Sequence, residues 1–204
     1  MPWLKKITQQ PIPLNRKTNL IVASALSFIF YLLKKGNSQM KKYKICLLGS
    51  FAVGKTSLVQ RFVKGIFSEK YLTTLGVKID KKMITIDNTE MEFIIWDLAG
   101  EDEFITVRDS YLRGTAAYLL VIDGTRNETL ETAISLHERM QQENQSLPFI
   151  LLINKSDLKE QWTIDATKIT ELKQSGWNTI ETSAKTNKGV AEAFQLLASN
   201  LLKN

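Results

Sequence analysis

One stretch, Gly49-Ser50-Phe51-Ala52-Val53-Gly54-Lys55-Thr56, restricts what this chain can fold into more than any other. It follows the apolar run Tyr43-Lys44-Ile45-Cys46-Leu47-Leu48 and opens the helical pattern Thr56-Ser57-Leu58-Val59-Gln60-Arg61-Phe62-Val63. Strand, glycine-flanked loop and helix are the context in which G-x-x-x-x-G-K-[ST] reads as a phosphate-binding loop. Backbone N–H groups of such a loop converge at a helix N-terminus, whose partial positive charge favours an anion. Lys55 adds a full charge for the outer phosphates, and the Thr56 hydroxyl is placed to ligate Mg²⁺.

The rest of the chain fits a sheet built around that loop. Strand patterns are predicted at residues 43–48, 77–86, 91–96, 116–123, 149–153 and 177–182. Helical patterns fall at 56–63, 128–142, 163–174 and 189–202. Residues 116–123 and 149–153 are nearly continuous apolar runs, as strands buried on both faces should be. The polar turn Asp87-Asn88-Thr89-Glu90 joins two strands as a hairpin. Strands separated by crossover helices give an α/β fold. The expectation is a six-stranded, mostly parallel sheet of the P-loop NTPase type, with one antiparallel edge strand and helices on both faces. Ligands of such sheets sit at the carboxyl ends of the strands.

Three further segments fall at those ends. Asp97-Leu98-Ala99-Gly100 follows the third strand, Asn154-Lys155-Ser156-Asp157 the fifth, and Glu181-Thr182-Ser183-Ala184-Lys185 the sixth. An aspartate ending a buried strand near the loop can hold Mg²⁺, usually through water. Gly100, lacking Cβ, lets backbone approach a terminal phosphate. The Asp157 carboxylate can accept from both the ring N–H and the exocyclic amine of guanine. Adenine offers no such pair and leaves the carboxylate unsatisfied.

With four motifs in this order and spacing, residues 43–202 resemble a small GTPase of the Ras superfamily, nearest the Rab branch. The resemblance implies a guanine-nucleotide switch of signalling or vesicle traffic that hydrolyses GTP to GDP with Mg²⁺. Phe51, Ala52, Val53, Gly54, Lys55, Thr56 and Ser57 would hold phosphates, and Thr56, Thr74 and Asp97 the metal. Lys55, Thr74, Gly100 and Glu101 would serve hydrolysis, with Asp97 and Gly100 reading the γ-phosphate. Phe67 would stack on guanine, the alternative being an aromatic that packs the loop. Asn154, Lys155, Asp157, Ser183, Ala184 and Lys185 would frame and select the base. Effectors and regulators would be met through residues 66–76 and 98–114; Trp96 and Ser110-Tyr111-Leu112-Arg113-Gly114 also resemble Rab-type second-switch sequence. A monomer with no nucleic-acid partner is expected.

The sequence departs from the family pattern at three places. Glu101 stands where a glutamine usually orients the attacking water, and Phe51 where glycine is usual. A carboxylate about 5 Å from a phosphate oxygen costs roughly 3 kcal/mol at an effective dielectric of 20, or some hundredfold in rate. The Phe51 ring would project toward the entry path of a partner's arginine. Slow hydrolysis is therefore expected, the alternative being a scaffold that retains GTP. The final Asn200-Leu201-Leu202-Lys203-Asn204 offers no cysteine for prenylation.

Charge and cysteine usage bear on location. Nine of the 27 basic side chains lie in residues 1–44, which contain no acidic one, so the other 18 face 21 acidic residues and the remainder is −3. That asymmetry favours an anionic surface near the N-terminus over a nucleic-acid-binding domain. The lone Cys46 excludes an internal disulfide, is expected to fill core space, and suits a reducing, cytoplasmic setting. The single His137 lies in a polar helix and is assigned no role. Residues 1–42 read as a basic extension ahead of a G domain at 43–204. Within it residues 20–33 are uncharged, about 21 Å as a helix against a ~30 Å hydrocarbon core. Four readings stay open: a membrane contact through residues 16–35 on a cytosolic face, an export signal, an organelle presequence, or a true start at Met40.

Overall fold

The computed structural model describes residues 40–68, 74, 76–100, 108–143 and 146–203, all within the unit Met40–Asn204 that divides from the chain after Gln39. Residues 1–39 of the expected extension, Glu101 and parts of both expected partner-binding segments lie outside the described residues, whereas Lys41 and Lys42 belong to the first strand.

Six strands form one sheet: β1 (Lys41–Leu48), β2 (Val77–Ile86), β3 (Thr89–Leu98), β4 (Ala117–Asp123), β5 (Phe149–Asn154) and β6 (Thr179–Glu181). Their order is β2-β3-β1-β4-β5-β6, with β2 antiparallel to β3 and every other pairing parallel. The helices are α1 (Lys55–Lys64), α2 (Asp109–Leu112), α3 (Glu128–Glu143), α4 (Ala166–Gln174) and α5 (Val190–Lys203), with a 3₁₀ turn at Ser156–Gln161. The expected architecture is the observed one.

Alternation along β1 divides the core. Ile45 and Leu47 face a cluster with Phe93, Leu119 and Leu152 beneath α1 and α5, where the Phe62 and Phe194 rings stack with centroids 3.7 Å apart. Cys46 and Leu48 face the opposite cluster with Tyr118, Leu120 and the α3 residues Leu136 and Met140. Cys46 is fully buried, its Sγ 3.1 Å from the Thr115 hydroxyl. All seven residues of β4 are buried, as a central strand covered on both faces requires.

Several boundaries differ from expectation, and two of the differences have evident local reasons. The hairpin turn is two residues, not four: Asp87 (φ 48°) and Asn88 (φ 61°) take the left-handed conformations of a type I′ turn, and Thr89 already pairs with Ile86. Helix α4 starts at Ala166 rather than 163 because the Asp165 side chain caps it, accepting from Thr167 N–H at 2.8 Å and Lys168 N–H at 3.3 Å.

His137 acquires a structural setting. Its Nδ1 lies 2.9 Å from the Tyr118 hydroxyl, and its ring centroid is 4.3 Å from that of Phe149 and 4.4 Å from that of Trp177. Burial holds the imidazole below its ordinary pKa of 6.5, with neighbouring Glu138 opposing. The folded state disfavours the charged ring, so stability is full above the unfolded pKa and falls as pH drops through 6.5 toward the folded value. Thermal unfolding of His137→Gln is expected to change less between about pH 7.5 and about pH 5.5 than that of the parent. Parallel curves would disprove it.

Candidate functional site

β1 delivers the chain into the loop at residues 49–54, whose backbone only glycine permits at its two ends. A Cβ at Gly49 (φ 145°) would lie 2.1 Å from the Val121 carbonyl oxygen, and one at Gly54 (φ 99°) 2.4 Å from Asn154 Nδ2. Ala52 is also left-handed (φ 65°), which helps turn the loop amides inward. Lys55, 6% exposed, arches back so that Nζ donates to the carbonyls of Gly49 and Ser50, both at 2.9 Å. Val53 sends its side chain into the core, so only its backbone is available to a ligand. Its carbonyl accepts from Asn154 Nδ2 at 2.8 Å, tying the loop to the end of β5.

Beside the loop three oxygen-bearing side chains converge. The Thr56 hydroxyl donates to Asp97 Oδ2 at 2.6 Å and lies 2.9 Å from the Thr74 hydroxyl. Asp97 is 1% exposed, and its Oδ1 has no hydrogen-bond partner among the described residues. Burial pushes its carboxyl up, against the Thr56 bond and the charges of Lys55 and Lys78. A buried carboxylate oxygen without a donor, next to two hydroxyls and a phosphate-type loop, suits a hard cation that takes oxygen ligands.

At the other end of the pocket Lys155 adopts a left-handed conformation (φ 64°) that turns the chain into the 3₁₀ segment carrying Asp157. The Ser183 hydroxyl donates to Asp157 Oδ1 at 2.5 Å and accepts from Thr186 N–H at 3.1 Å, which fixes the carboxylate. Ser183 itself is buried, whereas Ala184 and Lys185 line the cavity.

These pieces surround one open cavity of about 470 Å³. Of the expected residues, Phe51, Ala52, Gly54, Lys55, Thr56, Ser57, Phe67, Thr74, Gly100, Asn154, Lys155, Asp157, Ala184 and Lys185 line it. Asp97, Val53 and Ser183 lie behind the lining, and Glu101 is outside the described residues. Phe51 is 37% exposed. Gly100 has a reason to be glycine beyond the expected one: a Cβ there would sit 2.4 Å from Phe51 Cα and 2.5 Å from Phe51 N. The segment after β3 is thus packed directly on the phosphate-type loop.

Two contributors had not been expected. Arg126 Nη2 donates to the Phe51 carbonyl at 2.7 Å, and its Nε to Asp123 Oδ2 at 3.1 Å. Lys155 Nζ reaches the same Oδ2 at 2.5 Å, so buried Asp123 joins the loops at both ends of the cavity. Burial alone would raise the Asp123 carboxyl, but Lys155 and the Thr125 hydroxyl and N–H hold it below its ordinary value. Asp123 ends an apolar run as Asp97 does, so the signal was present. Arg126, in a polar stretch, gave none.

A family description, Ras family, matches residues 44–203. The chain is 35% identical over 164 residues to Ras-related protein Rab-19 of Mus musculus, covering 78% of this chain and 75% of the relative. It is 34% identical over 169 residues to Ras-related protein Rab-1 of Theileria parva, covering 79% and 77% respectively. Taken with the six-stranded sheet and the cavity at its carboxyl ends, these matches show that the chain belongs to the Ras family, as a small GTPase near the Rab branch that binds guanine nucleotide as a molecular switch.

Proposed function

We propose a guanine-nucleotide switch that hydrolyses GTP slowly and resists activators that supply an arginine. In this reading the amides of residues 51–57 and the Lys55 ammonium hold the phosphates, and Thr56, Thr74 and Asp97 hold Mg²⁺. A bound Mg²⁺ supplies charge neutralisation at the phosphate oxygens. Asn154 and Lys155 frame the base, Asp157 accepts from its N–H groups, the Ala184 N–H meets its carbonyl, and Phe67 covers a face. Thr74 and Gly100 address the terminal phosphate. Partners are met through residues 66–76 and 98–114, and residues 16–35 attach the protein to the cytosolic face of a membrane. Among the described residues no helix is long and apolar enough to cross one.

The observation that carries the slow-switch reading is Phe51, exposed at the cavity with its carbonyl held by Arg126 and its backbone against Gly100. These contacts fix the backbone from which the ring projects, so the side chain starts from a set point on the cavity lining. Glu101 adds a negative charge where a neutral amide would orient water. Single-turnover hydrolysis tests this: Glu101→Gln is expected to run up to about a hundredfold faster than the parent. Equal rates, both typical of the family, would overturn the proposal. Resident GDP in purified protein indicates turnover, and resident GTP indicates retention.

A further inference from the structure

Arg61 lies at the far end of α1 from the phosphate loop and belongs to none of the four motifs. Its guanidinium nevertheless makes three hydrogen bonds, all to backbone carbonyls. Nε donates to the Ala184 carbonyl at 2.8 Å, Nη2 to the Lys185 carbonyl at 2.9 Å, and Nη1 to the Gly65 carbonyl at 2.9 Å. The first two partners lie 123 and 124 residues away in sequence, the third only four. A planar fork of five donors suits this kind of bridging, which a single ammonium does not reproduce.

We infer that Arg61 is a positioning residue for guanine recognition, holding the Ala184-Lys185 segment and the Phe67 segment in register on the two sides of the base. The inference rests on the seating of guanine proposed above. In a planar trans peptide the carbonyl oxygen and the following N–H point in opposite directions. Pinning the Ala184 carbonyl to Arg61 therefore directs the Lys185 N–H away from the guanidinium and fixes the backbone on the C-terminal side of Ala184, the residue whose own N–H is assigned to the base carbonyl. Pinning the next carbonyl as well fixes a second peptide plane. Ala184 is only 4% exposed, so the segment has little other freedom.

The third bond acts on the other wall. Gly65 ends α1 in a left-handed conformation (φ 69°), its N–H bonded to the Arg61 carbonyl at 3.0 Å. The Arg61 side chain then takes the Gly65 carbonyl, so one residue holds both polar groups of the helix exit. That exit sends Ile66, Phe67 and Ser68 into the cavity lining. The Arg61 Cζ lies 5.9 Å from the Phe67 ring centroid, close enough for a cation–π attraction. Both walls of the proposed base site thus answer to one side chain.

The test compares release of GDP with release of 2-aminopurine riboside diphosphate, which lacks the 6-oxo group and, with it, the ring N–H while keeping the exocyclic amine. In the parent, GDP is expected to leave much more slowly than the analogue. Arg61→Ala should release GDP about 10- to 100-fold faster, as loss of charge-assisted bonds implies, and should lose at least about threefold of its preference for GDP over the analogue. Arg61→Lys, which keeps charge but not the fork, should fall between, and it carries the test if the alanine variant does not fold. GDP release within about twofold of the parent would overturn the inference. So would equal acceleration of both ligands, which marks a merely structural role. If the parent does not distinguish the two ligands, the seating of guanine is itself wrong and the inference falls with it.

Discussion

Asp157→Asn is expected to weaken GTP binding by about 10⁴-fold and to let xanthosine triphosphate bind in its place. An ionised carboxylate only accepts hydrogen bonds, and the guanine edge offers two donors, the ring N–H and the exocyclic amine. Ser183 occupies Asp157 Oδ1 at 2.5 Å, orienting the group without supplying a donor for the base to compete with on the other oxygen. An asparagine sets an N–H₂ against one of the guanine donors, leaving two donors facing and both desolvated. Xanthine carries an oxygen where guanine has its amine, so it presents one donor and one acceptor, which the amide matches. At the same two positions adenine carries an unprotonated ring nitrogen and a C–H, so ATP affinity should stay low in both proteins. Calorimetric titration with GTP, xanthosine triphosphate and ATP, after stripping resident nucleotide, separates the cases. Unchanged GTP affinity in the variant would mean that the base lies elsewhere and that Asp157 serves only to receive Ser183.

What could be read from the residues and what could not divides along a physical line. The phosphate loop, Asp97, the Asn154 segment and the Ser183 segment each declare themselves within a few residues, because the end of a buried strand has one place to go. Which strands are central and which lies at the edge shows in the same runs, since β4 is apolar up to Asp123 and buried throughout while β2 alternates. Contacts between distant segments carry no such mark. Nothing in the neighbourhood of Phe51 tells that Arg126, 75 residues on, will take its carbonyl, or that Gly100 will pack on its backbone. Arg61 is hidden for the same reason, as an ordinary polar position of an amphipathic helix until the Ala184 loop is folded against it. The misplaced start of α4 is different in kind. The aspartate cap was in view, but the apolar pattern of residues 163–174 ran across it.

Phe51→Gly is expected to restore sensitivity to an activator that inserts an arginine, a gain of about 10³–10⁵ in single-turnover rate where the parent shows little. The backbone of residue 51 is already constrained from two sides: Arg126 holds its carbonyl at 2.7 Å, and the chain at Gly100 leaves no room for a Cβ beside it. Those constraints do not involve the phenyl ring, so they persist in the glycine variant and the loop should keep its shape. The ring is what changes. Phe51 is 37% exposed and lines the cavity, and in the proposed reading its ring stands in the approach to the phosphate end. Removing it opens that approach while leaving Lys55, Thr56 and Asp97 in place. Without an activator the gain should be much smaller, because in the proposed reading Glu101 still stands where an amide would orient the water. The double variant Phe51→Gly with Glu101→Gln should therefore exceed either single change. If Phe51→Gly responds to the activator no better than the parent does, the ring is not the obstacle, and slow turnover has to be traced to residue 101 alone.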